Sequence, residues 1–297
     1  MMTKILSALY QTDKNIRKVL QNILNEQNNV SRVQQASISA VMNGGKRLRP
    51  FLVMETAKLF DINDPRILRI ASAIECVHCY SLVHDDLPSM DNDDMRRGQP
   101  TLHKKYDEAT AILAGDGLLT LAFEILADEK THKDSDVRAK LCLELAKASG
   151  LNGMVGGQMC DLQAESSNDL LNMQEIKNIQ NLKTGKLIQC AVKIGAIVGG
   201  ANSKQMQCLE NYASNIGLAF QVSDDLLDAL GDEILMGKSV RKDDVKNKAT
   251  FVSLLGADKA QELARDLIKS AKSELEMFDE KNQTLKQLAD FIIDRDS

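Results

Sequence analysis

Residues 64–94 read DPRILRIASAIECVHCYSLVHDDLPSMDNDD, and their pattern decides the fold. Asp64 and Pro65 form an N-cap and first-turn pair. An apolar run from Ile70 to Val83 follows at helical spacing and ends in Asp85-Asp86, just ahead of Pro88, which stops or kinks a helix. The stretch predicts one long helix with an acidic C-terminal end. The same spacing continues on both sides, predicting helices over 2–27, 31–42 (ending at Gly44-Gly45), 50–60, 104–127, 134–159, 173–198, 204–230, 257–277 and 282–293. No stretch alternates well enough to predict a strand. The polar interruptions at 88–101, 165–172 and 231–248 do not read as interdomain linkers, so one all-α bundle spanning 1–297 is expected. The segments around Asp85 and Asp224, each an apolar helix ending in paired Asp, are faintly alike.

Composition agrees. With 17 Gly and 4 Pro in 297 residues, turn punctuation is too sparse for a sheet-rich chain. Trp is absent and aromatics are 4%, so the core must be aliphatic. The net charge of −5, without a long basic run, speaks against a nucleic-acid partner. No stretch approaches about 18 consecutive apolar residues, so no membrane span is expected. The N-terminal residues lack a targeting pattern. Cys76, Cys79, Cys142, Cys160, Cys190 and Cys208 are scattered rather than set as a disulfide framework. Cys76 and Cys79 form a CxxC, but no second CxxC exists and the pair lies in an apolar helix. Buried reduced thiols and a cytoplasmic location are expected.

The chemistry is concentrated in three kinds of cluster. Asp85, Asp86, Asp91, Asp93 and Asp94 crowd five carboxylates into ten residues. Such crowding raises each pKa and is unfavourable unless cations relieve it; hard divalent ions such as magnesium do so. A solvated acidic loop is the plain alternative. Asp224 and Asp228, at i and i+4, put two carboxylates on one face of an otherwise apolar helix, where an exposed polar face is a weaker explanation. The third kind is basic: Lys46-Arg47-Leu48-Arg49, Arg96-Arg97, Lys183-Thr184-Gly185-Lys186 and Lys238. Arginine forks and lysine charges suit phosphate oxygens, and Arg96 and Arg97 could equally neutralise the acids beside them. Acidic and basic clusters together fit a multiply anionic ligand bridged by metals, such as a diphosphate. Gly44-Gly45-Lys46 lacks the Walker A spacing. His78 shares a face with Asp85, and on its own it reads as a core histidine. Glu75 and His78 make an ExxH, half of a di-iron bundle motif; the other formal match, Glu129 and His132, lies in a hydrophilic stretch.

GGKRLRPFLV (44–53), SLVHDDLPSMDNDDMRRGQPT (81–101), GGQMCDL (156–162), KTGKLIQ (183–189) and IGLAFQVSDDLLD (216–228) stand together in one order. In this the chain resembles the short-chain trans-prenyl diphosphate synthases, the bacterial farnesyl diphosphate synthases above all. The resemblance implies a helical bundle around a deep central cavity, the isoprenoid synthase type, usually a homodimer. It implies that Asp85, Asp86, Asp91, Asp224, Asp225 and Asp228 together hold three magnesium ions on an allylic diphosphate, with Asp85, Asp91, Asp224 and Asp228 as metal ligands. Arg96, Lys183 and Lys238 match positions contacting that diphosphate. Lys46, Arg49, His78 and Arg97 match those binding isopentenyl diphosphate. Thr184 and Gln221 match polar positions near the reacting carbons.

The implied reaction ionises the allylic C–O bond, lets the isopentenyl alkene attack the cation, and loses a proton to the released diphosphate. Tyr80, five residues before Asp85, matches a position where an aromatic limits chain growth, which implies a C15 product. A C20-producing relative, a non-catalytic subunit and a terpene cyclase are the alternatives. The last two sit poorly with two intact Asp motifs and a second diphosphate site. Lys248-Ala249-Thr250-Phe251-Val252 departs from the family's KSTYP, and Arg241 stands where Gly is common. Arg295 resembles a basic tail that reaches the isopentenyl site.

Overall fold

In the computed structural model, which describes residues 2–26, 31–166, 171–230 and 250–295, the chain is almost entirely helical. The helices are α1 (Met2–Asn25), α2 (Arg32–Met42), α3 (Leu48–Lys58), α4 (Arg66–Asp85), α5 (Leu102–Lys105), α6 (Glu108–Ala127), α7 (Ser135–Ser149) and α8 (Met154–Ser166). They continue as α9 (Met173–Gln180), α10 (Lys186–Val198), α11 (Ser203–Leu230), α12 (Phe251–Leu255), α13 (Ala257–Glu274) and α14 (Gln283–Asp294). The all-α expectation holds.

Helix α4 begins as the sequence predicts, with the Asp64 carboxylate accepting the Arg66 amide hydrogen at 2.8 Å. It is buried nearly all round, from Ile67 to Val83, and packs chiefly on α6 and α3. Helix α1 turns Ile5, Leu9, Thr12, Ile16, Leu20 and Ile23 inward, a single stripe at spacings of three and four, with Leu24 beside it. One apolar core gathers residues from α1 at one end of the chain to α14 at the other. Tyr212, fully buried on α11, donates its hydroxyl to the Leu285 carbonyl at 3.0 Å and ties α11 to α14.

Several expectations about boundaries fail. The helix expected over 104–127 is two, because the Asp107 side chain caps Thr110 N at 2.7 Å and restarts the chain as α6. The helix expected over 134–159 breaks at Gly150–Gly153, between α7 and α8. The segment 88–101 contains a two-stranded hairpin, Met95–Arg96 (β1) against Gln99–Pro100 (β2), where no strand was predicted. Residues Asn181–Gly185 form a π-helical turn inside the predicted helix over 173–198. Among the described residues, α6 alone is long and apolar enough to cross a bilayer by length and composition. Half of that window is buried, and Ala111, Ala114, Leu118, Ala122 and Ile125 lie in the protein core.

Candidate active site

Helix α4 delivers Asp85 as its last residue and Asp86 as its C-cap. The chain then folds back on itself, and the Asp91 amide donates to the Asp85 carbonyl at 2.8 Å. Asp91 is thereby returned to the neighbourhood of Asp85, as the position of Pro88 predicts. Burial is the main cause of the Asp85 carboxyl being pushed up to about 6; Lys183 pulls it down, and Asp91 adds to the rise. Asp86 is buried and accepts from Arg96 Nε at 2.7 Å and Nη2 at 2.6 Å, so it aligns that arginine. The β1–β2 hairpin carries Arg96 and Arg97 back toward α4, pinned by Thr101 Oγ1 donating to the Asp93 carbonyl at 2.8 Å.

Arg97 donates to the Gly44 carbonyl, and its guanidinium lies flat against Gly45. Gly45 has φ +114, so the backbone favours glycine there, and a Cβ would meet Arg97 Nη1 at 2.5 Å and push the guanidinium aside. Lys46, Arg49, His78 and Arg97 line one cavity of about 640 Å³ together with Phe220, Asp224 and Arg295. The four residues assigned to one diphosphate by resemblance thus converge. Burial first, then Arg295, lowers Lys46 to about 8. Burial first, then Arg49 and Arg97, holds the His78 imidazole well below its usual range, so it is neutral at pH 7.

A second cavity of about 310 Å³ adjoins the first and shares Arg49 and His78 with it. Its walls are mostly apolar (Tyr80, Leu82, Met90, Met154, Met159 and Leu162), and Asp85, Lys183 and Thr184 also line it. Tyr80 is buried in this wall with its ring edge-on to His84, centroids 5.6 Å apart. Lys183 and Thr184 sit in the π turn, a distortion that recurs at functional sites because it re-aims side chains within a helix. Lys183 Nζ donates to buried Asp161 at 2.7 Å.

On α11, Asp224 accepts from Arg295 Nη2 at 2.6 Å, and the same guanidinium lies 3.9 Å from the Phe220 ring centre. The basic tail residue therefore reaches the cavity that holds Lys46. Asp225 is buried, accepting from Phe251 N at 2.8 Å and Gln221 Nε2 at 3.2 Å, and so fixes the start of α12. Asp228 lies one turn beyond Asp224 on the same helix. Lys238, Arg241 and residues 248–249 of the altered KSTYP segment lie outside the described residues.

Among the described residues no three His, Cys, Asp or Glu side chains form a ready metal cage. Hard carboxylate oxygens that supply only part of a coordination shell suit magnesium, which commonly takes one or two carboxylates and completes its octahedron with waters and substrate phosphates. The di-iron alternative has no support in this arrangement: Glu75 is bound to Arg47, and Glu129 is far along the chain in a hydrophilic turn. All six cysteines are free, and Cys76 and Cys79 are buried, with burial raising Cys79 to about 12.

The GGQMCDL stretch (156–162) carries the resemblance, but its sequence gives no role to Gln158 or Asp161. Nor does the sequence mark Arg47 as the buried partner of Glu75 and Asp13. The signal for Asp161 was its place in a motif beside two glycines; its partner Lys183 is 22 residues away, beyond any local pattern.

The polyprenyl synthetase family model matches residues 30–288. The farnesyl diphosphate synthase of Escherichia coli is 47% identical over 257 residues, 85% of each chain. An FPP/GFPP synthase from Zymomonas mobilis, solved in its apo form, has 43% identity and a TM-score of 0.88, covering 99% of this chain and 100% of that one. The geranyltransferase of Helicobacter pylori, solved in complex with magnesium and isoprenyl diphosphate, has 32% identity and a TM-score of 0.80, covering 98% and 96%. The chain belongs to the polyprenyl synthetase family.

Proposed function

We propose that this chain condenses isopentenyl diphosphate head-to-tail with dimethylallyl and geranyl diphosphates to make farnesyl diphosphate. The observation that carries the reading is the pair of adjoining cavities, one lined by cations and one mainly by hydrocarbon side chains, which share Arg49 and His78. The first suits the diphosphate of the non-allylic substrate; the second suits an isoprenoid chain with its diphosphate at the Asp85 and Lys183 end.

Asp85, Asp91, Asp224 and Asp228 would hold three magnesium ions, which supply neutralising charge to the allylic diphosphate. Asp86 and Asp225 act through what they anchor, Arg96 and the start of α12. Arg96 and Lys183, with Lys238, bind the leaving diphosphate and favour the charge that grows on it. Lys46, Arg49, Arg97 and neutral His78, which keeps one N–H to donate, orient isopentenyl diphosphate so that its alkene faces the allylic carbon. The hydrocarbon wall keeps water from the cation, and Thr184, which lines the same cavity, offers its hydroxyl oxygen there, whereas Gln221 lines neither of the two cavities and donates to Asp225. A homodimer fits the exposed apolar residues Ile112 and Leu113 of α6, and six free thiols fit a reducing cytoplasm.

The test is product length from magnesium, isopentenyl diphosphate and dimethylallyl diphosphate. C15 is expected, and absence of condensation with either allylic starter would sink the reading. Tyr80→Ala opens the wall of the hydrocarbon cavity and should shift the product to C20 or longer. An unchanged C15 product would remove Tyr80 as the floor. A C20 product from the unaltered chain would keep the mechanism and favour the geranylgeranyl alternative, a shift in length that the name of the Zymomonas relative also illustrates.

A pH dependence follows from Lys46. Its folded pKa of about 8 means that the ammonium is present below pH 8 and lost above it. We expect kcat/KM for isopentenyl diphosphate to fall as pH rises through about 8, and Lys46→Arg to move the fall beyond pH 9. An unchanged profile in Lys46→Arg would assign the fall to another group.

A further inference from the structure

Helix α8 is held to the π turn at two points. At Gly157 a Cβ would stand 2.3 Å from Lys183 N and 2.7 Å from Lys183 Cα, so only a glycine allows this approach. One helical turn later, Asp161 receives the Lys183 ammonium at 2.7 Å. Between these two clamps lies Gln158, and its side chain lines the hydrocarbon cavity beside Tyr80, Asp85 and Thr184. Both ends of its amide, Oε1 and Nε2, are buried and have no hydrogen-bond partner among the described residues.

A buried amide with neither end satisfied is costly, and such groups in native proteins call for an explanation. Packing does not supply one. The neighbours on this wall, Met154, Val155, Met159 and Leu162, are all apolar, and a leucine or methionine would fill the same place without a desolvation cost. The amide is a strong dipole set into a mainly apolar wall that Thr184, the threonine the resemblance puts near the reacting carbons, also lines. A group that lines the cavity and has no partner among the described residues is suited to a charge that exists only during reaction.

Resting on the prenyl-transfer reading, we propose that Gln158 is a catalytic residue of the allylic site, whose amide oxygen faces the allylic carbons and stabilises the cation formed there. When the allylic C1–O bond breaks, its electron pair leaves with the diphosphate and positive charge spreads over C1 and C3. The Gln158 carbonyl dipole lowers the energy of that charge without forming a bond. The alkene of isopentenyl diphosphate then supplies the pair for the new C–C bond, and the proton lost afterwards goes to the diphosphate. Gln158 neither gains nor loses a proton.

The test compares two unreactive probes on the full-length protein with magnesium. One is an ammonium analogue of geranyl diphosphate, with a protonated nitrogen at the C3 position. The other is geranyl thiolodiphosphate, which has the same chain and no positive charge. In Gln158→Leu we expect affinity for the ammonium analogue to fall roughly 10- to 100-fold. Affinity for the thiolodiphosphate should change less than about threefold, the KM for isopentenyl diphosphate should hold, and the melting temperature should stay level or rise. Gln158→Glu, which places a negative charge in the same wall, should bind the ammonium analogue more tightly than the unaltered chain.

Equal weakening toward both probes would overturn the proposal in favour of simple shape complementarity. Undiminished affinity for the ammonium analogue would overturn it outright. If Gln158→Leu does not fold, Gln158→Met, which matches the neighbouring side chains, takes its place in the same comparison. Should the unaltered chain bind neither probe and make no product, the prenyl-transfer reading itself fails. Should it make product while the variants keep their affinity for the ammonium analogue, only the role of Gln158 fails.

Discussion

Asp85→Asn is expected to slow condensation by about 10³ or more while leaving the metal-free protein at least as stable as before. The two halves of this expectation come from one feature. Asp85 is pushed up to about 6 from 3.8, by burial first and then by Asp91 and Asp86, with Lys183 and Arg96 opposing. A carboxyl whose folded pKa lies above its unfolded one binds its proton more tightly in the fold. It favours the folded state at low pH, and that contribution is lost as pH rises from 4 through 6. At pH 7.5 the ionised carboxylate therefore costs about 1–3 kcal/mol that asparagine would not. Melts without metal should show Asp85→Asn equal to the unaltered chain near pH 4 and several degrees higher at pH 7.5. The rate should move the other way, since a neutral amide is a poor partner for a hard dication. A rate within tenfold of the unaltered chain would remove Asp85 from the metal site; a lower melting temperature at pH 7.5 would make its carboxylate a structural group.

The same tension explains why this site was readable before any coordinates. Carboxylates placed where folding alone would not put them are conspicuous in a sequence, and so is the apolar periodicity they interrupt. Asp85, Asp91 and Asp224 stand out as candidates for that reason. Lys46, Arg49 and Arg97 show in the sequence as basic clusters suited to phosphate, but grouping them with His78 takes the resemblance, because nothing local says that three distant segments meet in one cavity. The failures have equally definite causes. A π turn differs from an α turn by one residue, so apolar spacing over 173–198 passes through Lys183 and Thr184 without a visible break. Asp107 is one more aspartate in a polar stretch until its side chain is seen capping Thr110. The β1–β2 hairpin has two residues per strand, too few for alternation to show. Asp86 and Asp225 resemble metal ligands in the sequence, yet the fold gives them to Arg96 and to the Phe251 amide.

Arg47 illustrates what sequence reading leaves out, and its replacement should have the largest effect on stability. It stands between Lys46 and Arg49, two residues of the proposed isopentenyl cradle, and faces away from solvent: its side chain is 0% exposed, against 2% for Glu75. Its backbone is left-handed at φ 49, a conformation that non-glycine residues hold only when their surroundings enforce it. The guanidinium enforces it, donating to Glu75 on α4, to Asp13 on α1 at 2.9 Å and to the Val41 carbonyl on α2. Burial, the largest single influence on Arg47, works against its charge; Glu75, Cys79 and Asp13 outweigh it and hold the guanidinium above its usual range. Cutting one partner from such a pair strands a buried charge, so Arg47→Met should cost about 3–5 kcal/mol in urea unfolding. Arg47→Met with Glu75→Gln should recover part of that loss, because the stranded carboxylate is then neutral. The recovery should not extend to function. Glu75 also offsets the positive field that Arg49 and Arg97 share, and Arg47 fixes the turn that presents Lys46 and Arg49. The double variant should therefore fold and still show a raised KM for isopentenyl diphosphate, with kcat less affected. If KM returns with stability, the buried pair serves the fold alone; if it stays raised, the pair also sets the geometry of the cradle above it.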